Sequence, residues 1–158
     1  RAMEIISFTI NLEHVGDILD KNLSELAAKK IKRRWQFSRE GAAELSAYHQ
    51  RIHQSLRIAF GVFMSGDVNE ARKLLQEKAE LRNIELAAIE RHLDRLREEQ
   101  TAAIETTSLH LDVLRDLRRI HSHICSVAYP VLERSGDRDP ALDAERTSAL
   151  LTTRPVSG

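Results

Sequence analysis

The sequence of 158 residues carries 24 Lys and Arg residues against 24 Asp and Glu residues, so its formal net charge is zero. Zero net charge excludes the broad basic field with which proteins gather nucleic-acid backbones, and we expect no nucleic-acid partner. The length is that of one domain, and the scarcity of aromatic residues, glycine and proline favours long helices over strands.

The chain contains no apolar segment long enough to cross a membrane. Its longest uninterrupted apolar run is Ile58–Met64, whereas a spanning helix needs about 20 apolar residues. The single cysteine, Cys125, excludes an intrachain disulfide and favours a reducing compartment. Because position 1 is not Met and the helical pattern is already in phase at Ile5, we interpret the chain as a fragment of a longer protein.

The first predicted helix covers residues 2–34 and contains the strongest chemical pattern, NLEHVGDILDKNL, at 11–23. Glu13 and Asp17 are four residues apart, so both carboxylates lie on one helix face and can reach one cation. A solvated acidic face is the alternative interpretation. A different face is predicted to pack in a bundle, and its residues are Ile5, Phe8, Leu12, Val15, Leu19 and Leu26.

The first helix closes with the basic segment Lys29–Arg34, which is followed by Trp35. Cations in the last turns stabilise the negative end of the helix dipole, and this is the preferred interpretation. Contact with an anionic membrane surface is the alternative.

The second predicted helix begins after an N-cap at Ser38 and ends near Ser65. His49 and His53 are one turn apart on it, a spacing that can hold zinc. No third ligand is apparent, so we favour exposed or hydrogen-bonded histidines. The predicted inner face consists of Leu45, Tyr48, Ile52, Leu56, Ala59 and Phe63.

The third predicted helix covers residues 67–99. Gly66 can end the preceding helix in a left-handed conformation, and Asp67 with Glu70 forms a capping-box pattern. The short connection makes the second and third helices antiparallel neighbours. Glu77 and Glu80 are further candidates for oxygen ligands in a site shared with the first helix. The predicted inner face consists of Val68, Ala71, Leu75, Ala79, Leu86, Ile89, Leu93 and Leu96.

The fourth predicted helix begins at a cap on Thr106 or Thr107 and extends to Arg134. Pro130 is expected to kink it or to end its regular part. Its predicted inner face consists of Leu109, Val113, Leu117, Ile120, Ile124, Val127 and Val131.

These patterns predict an all-α protein, an antiparallel bundle of four long helices over residues 1–136. The segment 137–158 lacks the apolar pattern, and we expect it to be a mobile C-terminal tail. The fourth helix also repeats the apolar spacing of the first. In the alignment of these two helices Leu12, Val15 and Leu19 fall on Leu117, Ile120 and Ile124.

LEHVGD at 12–17, followed by Asn22, resembles the LERIGD...N signature of PhoU-domain proteins. LRDLRRIHSHI at 114–124 resembles a second, altered copy of it. PhoU proteins are helical bundles whose ExxxD motifs bind metal ions, so the resemblance implies a divalent or iron-type metal ion at Glu13 and Asp17. Arg118 and Ser122 replace the two acids in the second copy, and we therefore expect one metal site.

Residues 2–135 further resemble the C-terminal cytoplasmic region of bacterial sodium/phosphate cotransporter family proteins. The resemblance implies a regulatory binding domain, not an enzyme, of a sodium-dependent phosphate transporter at the cytoplasmic face of the inner membrane. Its expected partners are the membrane transport domain of the same polypeptide and a second copy in a homodimer. The alternatives are a free-standing PhoU-like phosphate-signalling adaptor and, less favoured, a four-helix-bundle carboxylate metalloenzyme.

Overall fold

The computed structural model describes residues 2–97 and 101–136, without the side chains of residues 95–96 and 101–104. Over these ranges every regular element is a helix, which confirms the all-α prediction. The elements are α1 (Ala2–Asp17), a π-helical turn (Ile18–Leu23), α2 (Ser24–Arg33), α3 (Arg39–Ser65), α4 (Val68–Arg97), α5 (Thr101–Cys125) and α6 (Ala128–Arg134). None of the described helices combines the length and apolarity that a membrane span requires.

Helix α5 lies at the centre of the bundle and contacts α1, α3 and α4. Helices α3 and α4 also pack on each other, and the short α6 extends the packing against both of them. Because α1, the π-helical turn and α2 form one continuous helical segment, the molecule is the predicted bundle of four long helices. Counting the short α6 as the continuation of α5, helices α3, α4 and α5–α6 form a three-helix unit, and α1 packs on it through α5.

The predicted inner faces of α3 and α5 are confirmed. Tyr48 and Ala59 of α3 are buried, as are Leu117 and Ile124 of α5. Both helices step their apolar residues by three and four, so the helical period alone identifies the side that packs.

The predicted inner face of α4 is wrong from Ala79 onwards, where Ala79 itself is exposed. Leu86 and Leu93 are 48% and 47% exposed, whereas Leu74, Leu81 and Ala88 are buried. The buried residues are seven apart, which is the heptad spacing of a helix that packs lengthwise against its neighbours. Apolar residues follow two faces of α4, so the period does not select between them. The side chain of Leu96 and the predicted end at 99 lie outside the described residues.

The predicted inner face of the first helix is also wrong at two positions. Ile5 and Leu19 are 47% and 49% exposed, and Ile18 is buried in place of Leu19. Ile18 and Leu23 begin and end the π-helical turn. In such a turn residues five apart share a face, so Ile18 and the partly buried Leu23 both pack towards the core.

The predicted start of the fourth helix at Thr106 or Thr107 is wrong, since α5 is already helical from Thr101. Thr107 is buried inside the helix. A threonine hydroxyl can bond a carbonyl of the preceding turn as well as cap a helix, so the residue type does not distinguish the two positions. The tail predicted at 137–158 lies outside the described residues.

The fourth helix is interrupted, as expected from Pro130, and the break lies four residues before the proline. Helix α5 ends at Cys125, and α6 begins at Ala128 with Pro130 as its third residue. Proline donates no hydrogen bond, and its ring clashes with the carbonyl four residues before it. That carbonyl belongs to Ser126, in the turn between the helices.

The contacts at the end of α2 support a structural role for the basic segment Lys29–Arg34. Arg34 is left-handed (φ 55°) and ends the helix. The cations of Lys29 and Arg33 lie 5.5 and 5.9 Å from the centre of the Trp35 ring. Two of the cations therefore stack on the chain that follows the helix, while membrane contact stays a prediction.

The turn between α3 and α4 has the predicted glycine and the aspartate half of the predicted capping box, but the Asp67 N–H donates to Ser65 Oγ at 3.1 Å and not to Glu70. Gly66 is left-handed with a φ of 69°. The Asp67 Oδ1 atom accepts hydrogen bonds from the backbone N–H groups of Asn69 (2.8 Å) and Glu70 (3.0 Å). The Glu70 carboxylate binds Lys73 at 2.6 Å. The turn thus has its glycine and its aspartate cap, and it brings α4 back along α3.

Replacing Gly66 with alanine is expected to lower the free energy of unfolding by about 1–2 kcal/mol, because a Cβ atom disfavours the left-handed conformation. Urea denaturation measures the change. The matched control is Gly61→Ala in α3, where an added Cβ meets no atom within 4 Å. This control should stabilise the helix by about 0.5–1 kcal/mol. Equal effects of the two variants would contradict the role of Gly66.

Candidate functional site

Glu13 and Asp17 lie on the exposed side of α1, as predicted. The Asp17 side chain is 52% exposed, and its Oδ1 atom lies 2.9 Å from the Lys21 ammonium nitrogen. The hydrogen bond from Lys21, followed by the charge of Lys21, lowers the pKa of Asp17. Asp17 is therefore a carboxylate at neutral pH, but a lysine competes for it with any metal ion.

The two acids provide an incomplete ligand set. Within the described residues no group of three or more His, Cys, Asp or Glu side chains is arranged to hold a metal ion. A metal bound by Glu13 and Asp17 would take its remaining ligands from water, as hard cations often do. Carboxylate oxygens select Mg²⁺, Ca²⁺, Mn²⁺ or iron over softer metals.

Glu77 and Glu80 do not share a site with the first helix, and this prediction is wrong. The Arg51 guanidinium of α3 binds both Glu77 oxygens, at 2.5 and 2.8 Å, and one Glu80 oxygen at 2.5 Å. The hydrogen bond from Arg51 lowers the pKa of Glu77. The forked guanidinium fits carboxylates well, so these acids join α4 to α3.

The pair His49 and His53 is exposed on α3, in agreement with the preferred interpretation. Neither residue belongs to a group of three or more potential ligands within the described part of the chain.

The altered copy of the acidic motif in α5 has a structural role. Arg118, which aligns with Glu13, forms an ion pair with Glu85 of α4. Glu85 is buried, with 9% exposure. Since a buried carboxylate needs a partner, Arg118 serves the packing of α4 on α5.

A polar contact between α1 and α5 was missed by the sequence reasoning. The imidazole rings of His14 and His123 lie 5.1 Å apart at an angle of 31°. The His123 Nδ1 atom is 2.9 Å from the Asn11 Oδ1 atom. Burial, then the charge of His14, lowers the pKa of His123. His14 and His123 are far apart in the chain, so only the packing of α1 on α5 could identify the pair.

A second missed cluster lies inside the bundle. The His121 Nε2 atom is 2.8 Å from the Ser55 Oγ atom, and the Cys125 Sγ atom lies 3.6 Å from the same nitrogen. Burial lowers the pKa of His121 to about 4. His121 is thus a neutral core residue at physiological pH.

A groove of about 740 Å³ lies where α3 begins. The Glu44 carboxylate in its wall binds Arg91 at 2.5 Å and lies 3.1 Å from His110 Nε2. The charge of Glu44 is thus compensated within the wall.

The model of the PhoU domain matches residues 45–131, more than half of the chain. The chain belongs to the PhoU domain family. The matched region begins in α3 and ends in α6, so it covers the three-helix unit described above. Glu13 and Asp17 of this PhoU-domain protein precede the matched residues.

Curated relatives match nearly the whole PhoU-domain chain. It is 42% identical over 146 residues to "Putative inorganic phosphate export protein YjbB" of Salmonella typhimurium strain LT2. The matched region covers 92% of the chain and 26% of the relative. The protein of the same name from Escherichia coli O157:H7 is 41% identical over 143 residues, or 90% of the chain and 26% of the relative. The chain therefore spans about a quarter of these relatives. No solved structure matches it significantly.

Proposed function

We propose that this PhoU domain is the cytoplasmic regulatory domain of a sodium-dependent phosphate transport protein at the inner membrane. The observation that carries the proposal is the 42% identity to a protein named for phosphate export, of which the chain covers only a quarter. On this proposal the remaining three quarters of such a protein include the transport domain. The name of these relatives favours export as the direction of transport.

The polar interior of the bundle supports a binding role over catalysis. The buried acids Glu85 and Asp116 both pair with arginines, Glu85 with Arg118 and Asp116 with Arg119 at 3.1 Å. A carboxylate-bridged metalloenzyme requires inward acids that are available to metal, together with Glu-x-x-His motifs. The sequence of α5 contains no such motif.

An exposed apolar face of α1 supports a contact with the transport domain. We define it by Met3, Ile6 and Ile10, which share one side of the helix and are 46% to 75% exposed. Exposed apolar residues in quantity mark interaction sites. The domain would regulate transport if this surface binds one state of the transport domain more tightly than the other.

Phosphate flux through the full-length protein tests the proposal. Flux in cells should lose its sodium dependence or its response to internal phosphate when residues 2–136 are deleted from the complete protein. The variant Ile6→Lys, which charges the apolar surface, should reproduce that change. The matched control is Ile31→Lys, which alters a residue that is 76% exposed elsewhere. Unchanged flux in the deletion would contradict the proposal.

Metal binding by Glu13 and Asp17 is a separate part of the proposal. Asp17→Asn should weaken Mn²⁺ binding at least about tenfold in calorimetric titration, because a neutral amide replaces a charged ligand. Helicity should not change, since Asp17 is exposed. Asp94→Asn is the control, because Asp94 is an exposed acid on α4 that also pairs with a neighbouring cation, Arg97. Equal Mn²⁺ affinity in both variants would exclude the acidic pair as the site.

A further inference from the structure

We propose that His14 of α1 and His123 of α5 form a binding site for a borderline transition metal of the zinc class. The site is distinct from the carboxylate pair Glu13 and Asp17 and does not depend on the proposed role in transport. It joins the first helix to the central helix of the three-helix unit.

The hydrogen bonds of Asn11 determine which ring nitrogen of His123 carries a proton. The Asn11 Nδ2 atom donates to the Ser7 carbonyl at 2.8 Å, and a carbonyl can only accept. The other atom of the amide, Oδ1, therefore faces His123 and can only accept as well. Hence His123 Nδ1 carries the proton and donates to Asn11 at 2.9 Å.

This assignment leaves a lone pair on His123 Nε2, the atom with which a neutral imidazole binds metal. Metal-binding histidines commonly donate their other N–H to a carboxylate, a backbone carbonyl or water, which fixes the ring and makes it a better ligand. Asn11 has this position relative to His123. Within the described residues no hydrogen bond is made by His123 Nε2 or by the His14 ring.

The separation of the two rings fits a shared ion. Zinc binds histidine nitrogen at about 2.0–2.1 Å with tetrahedral angles, which places two coordinating rings roughly 5 Å apart between centres. The His14 and His123 ring centres are 5.1 Å apart.

The charges around the pair are compatible with a cation. The arginine whose charge acts on His123 is Arg119, and its Nη1 atom is held 3.1 Å from the buried carboxylate of Asp116.

The ligand type selects the metal. Imidazole nitrogen suits zinc, copper and nickel, whereas the carboxylate pair suits harder cations. No third His, Cys, Asp or Glu joins the two histidines among the described residues. Water or an anion from solution therefore completes the coordination, and the site is an open one.

Titration of the metal-free chain with Zn²⁺ alone tests the site by calorimetry and by thermal unfolding. We expect one ion per chain and a Tm that rises with Zn²⁺, because the ion joins two helices of the folded state. His14→Gln and His123→Gln should each weaken Zn²⁺ binding at least about tenfold and remove the rise in Tm. Asn11→Ala, which removes no ligand, should weaken binding by roughly tenfold through the loss of ring orientation.

The matched control is His53→Gln, which removes an exposed histidine from α3 and should keep the rise in Tm. Circular dichroism verifies the fold of each variant, and His14 is exposed, so its replacement spares the core. Absence of Zn²⁺ binding by the unaltered chain would overturn the proposal. It would also be overturned if His14→Gln bound Zn²⁺ normally, or if Asp17→Asn lost the ion while His14→Gln retained it.

Discussion

Replacing Leu81 with alanine is expected to lower the free energy of unfolding by about 2–5 kcal/mol, the range for a fully buried leucine. Leu81 has no exposed surface. Leu86 lies five residues further along the same helix and is 48% exposed, so Leu86→Ala should change stability by less than about 1 kcal/mol. Urea denaturation of both variants measures the difference.

This pair of variants compares the two apolar faces of α4. The substitutions are chemically identical, and both leucines lie in the middle of the helix, so helix propensity cancels between them. A larger loss for Leu86→Ala would mean that α4 packs through the face containing Leu86, Ile89 and Leu93. Two equal losses of several kcal/mol would indicate a partner that covers this face.

The inner faces of α3 and α5 could be predicted because one apolar row, stepping by three and four, continues along most of each helix. Tyr48, Ile52 and Ala59 are buried as expected, and so are Leu117 and Ile120. The face of α4 could not, because its heptad Leu74, Leu81 and Ala88 competes with a second row of leucines. The choice depends on neighbours that are distant in the chain, and a period within one helix carries no information about them.

The helix caps show the same limit of sequence-based prediction for contacts between residues that are close in the chain. Ser38 accepts from the Gly41 N–H at 3.0 Å as predicted, and Gly66 and Asp67 cap the next boundary. These contacts lie within four residues, so local chemistry determines them. Thr107 fits a cap pattern equally well but is buried inside α5.

The candidate site was predictable only where it lies on one helix. The spacing of Glu13 and Asp17 places them together on the surface of α1, but Lys21 at 2.9 Å from Asp17 is an equally local feature. The His14–His123 contact and the Ser55–His121 contact each join two helices. Predicting them requires the rotation of α5 relative to α1 and α3, which the sequence pattern does not specify.

His121 links the stability of the bundle to pH. Its ring is 1% exposed, touches Ser55 and Cys125, and has a pKa lowered by burial to about 4. In the unfolded chain a histidine has a pKa of about 6.5. Between these two values the unfolded state binds a proton that the folded state rejects, so stability falls as the pH falls through this window.

The unaltered chain should lose about 2 kcal/mol of unfolding free energy between pH 7 and pH 5 through His121 alone, from the two pKa values above. His121→Gln removes the titrating ring and retains a polar group that can bond Ser55, so this part of the pH dependence should disappear. His53→Gln, at an exposed histidine of α3, should keep the full dependence. Urea denaturation at several pH values gives the slopes.

Since other titrating groups contribute equally to all three proteins, the comparison isolates His121. Parallel slopes for the unaltered chain and His121→Gln would mean that the buried ring does not resist protonation, and that the contact with Ser55 opens at little cost.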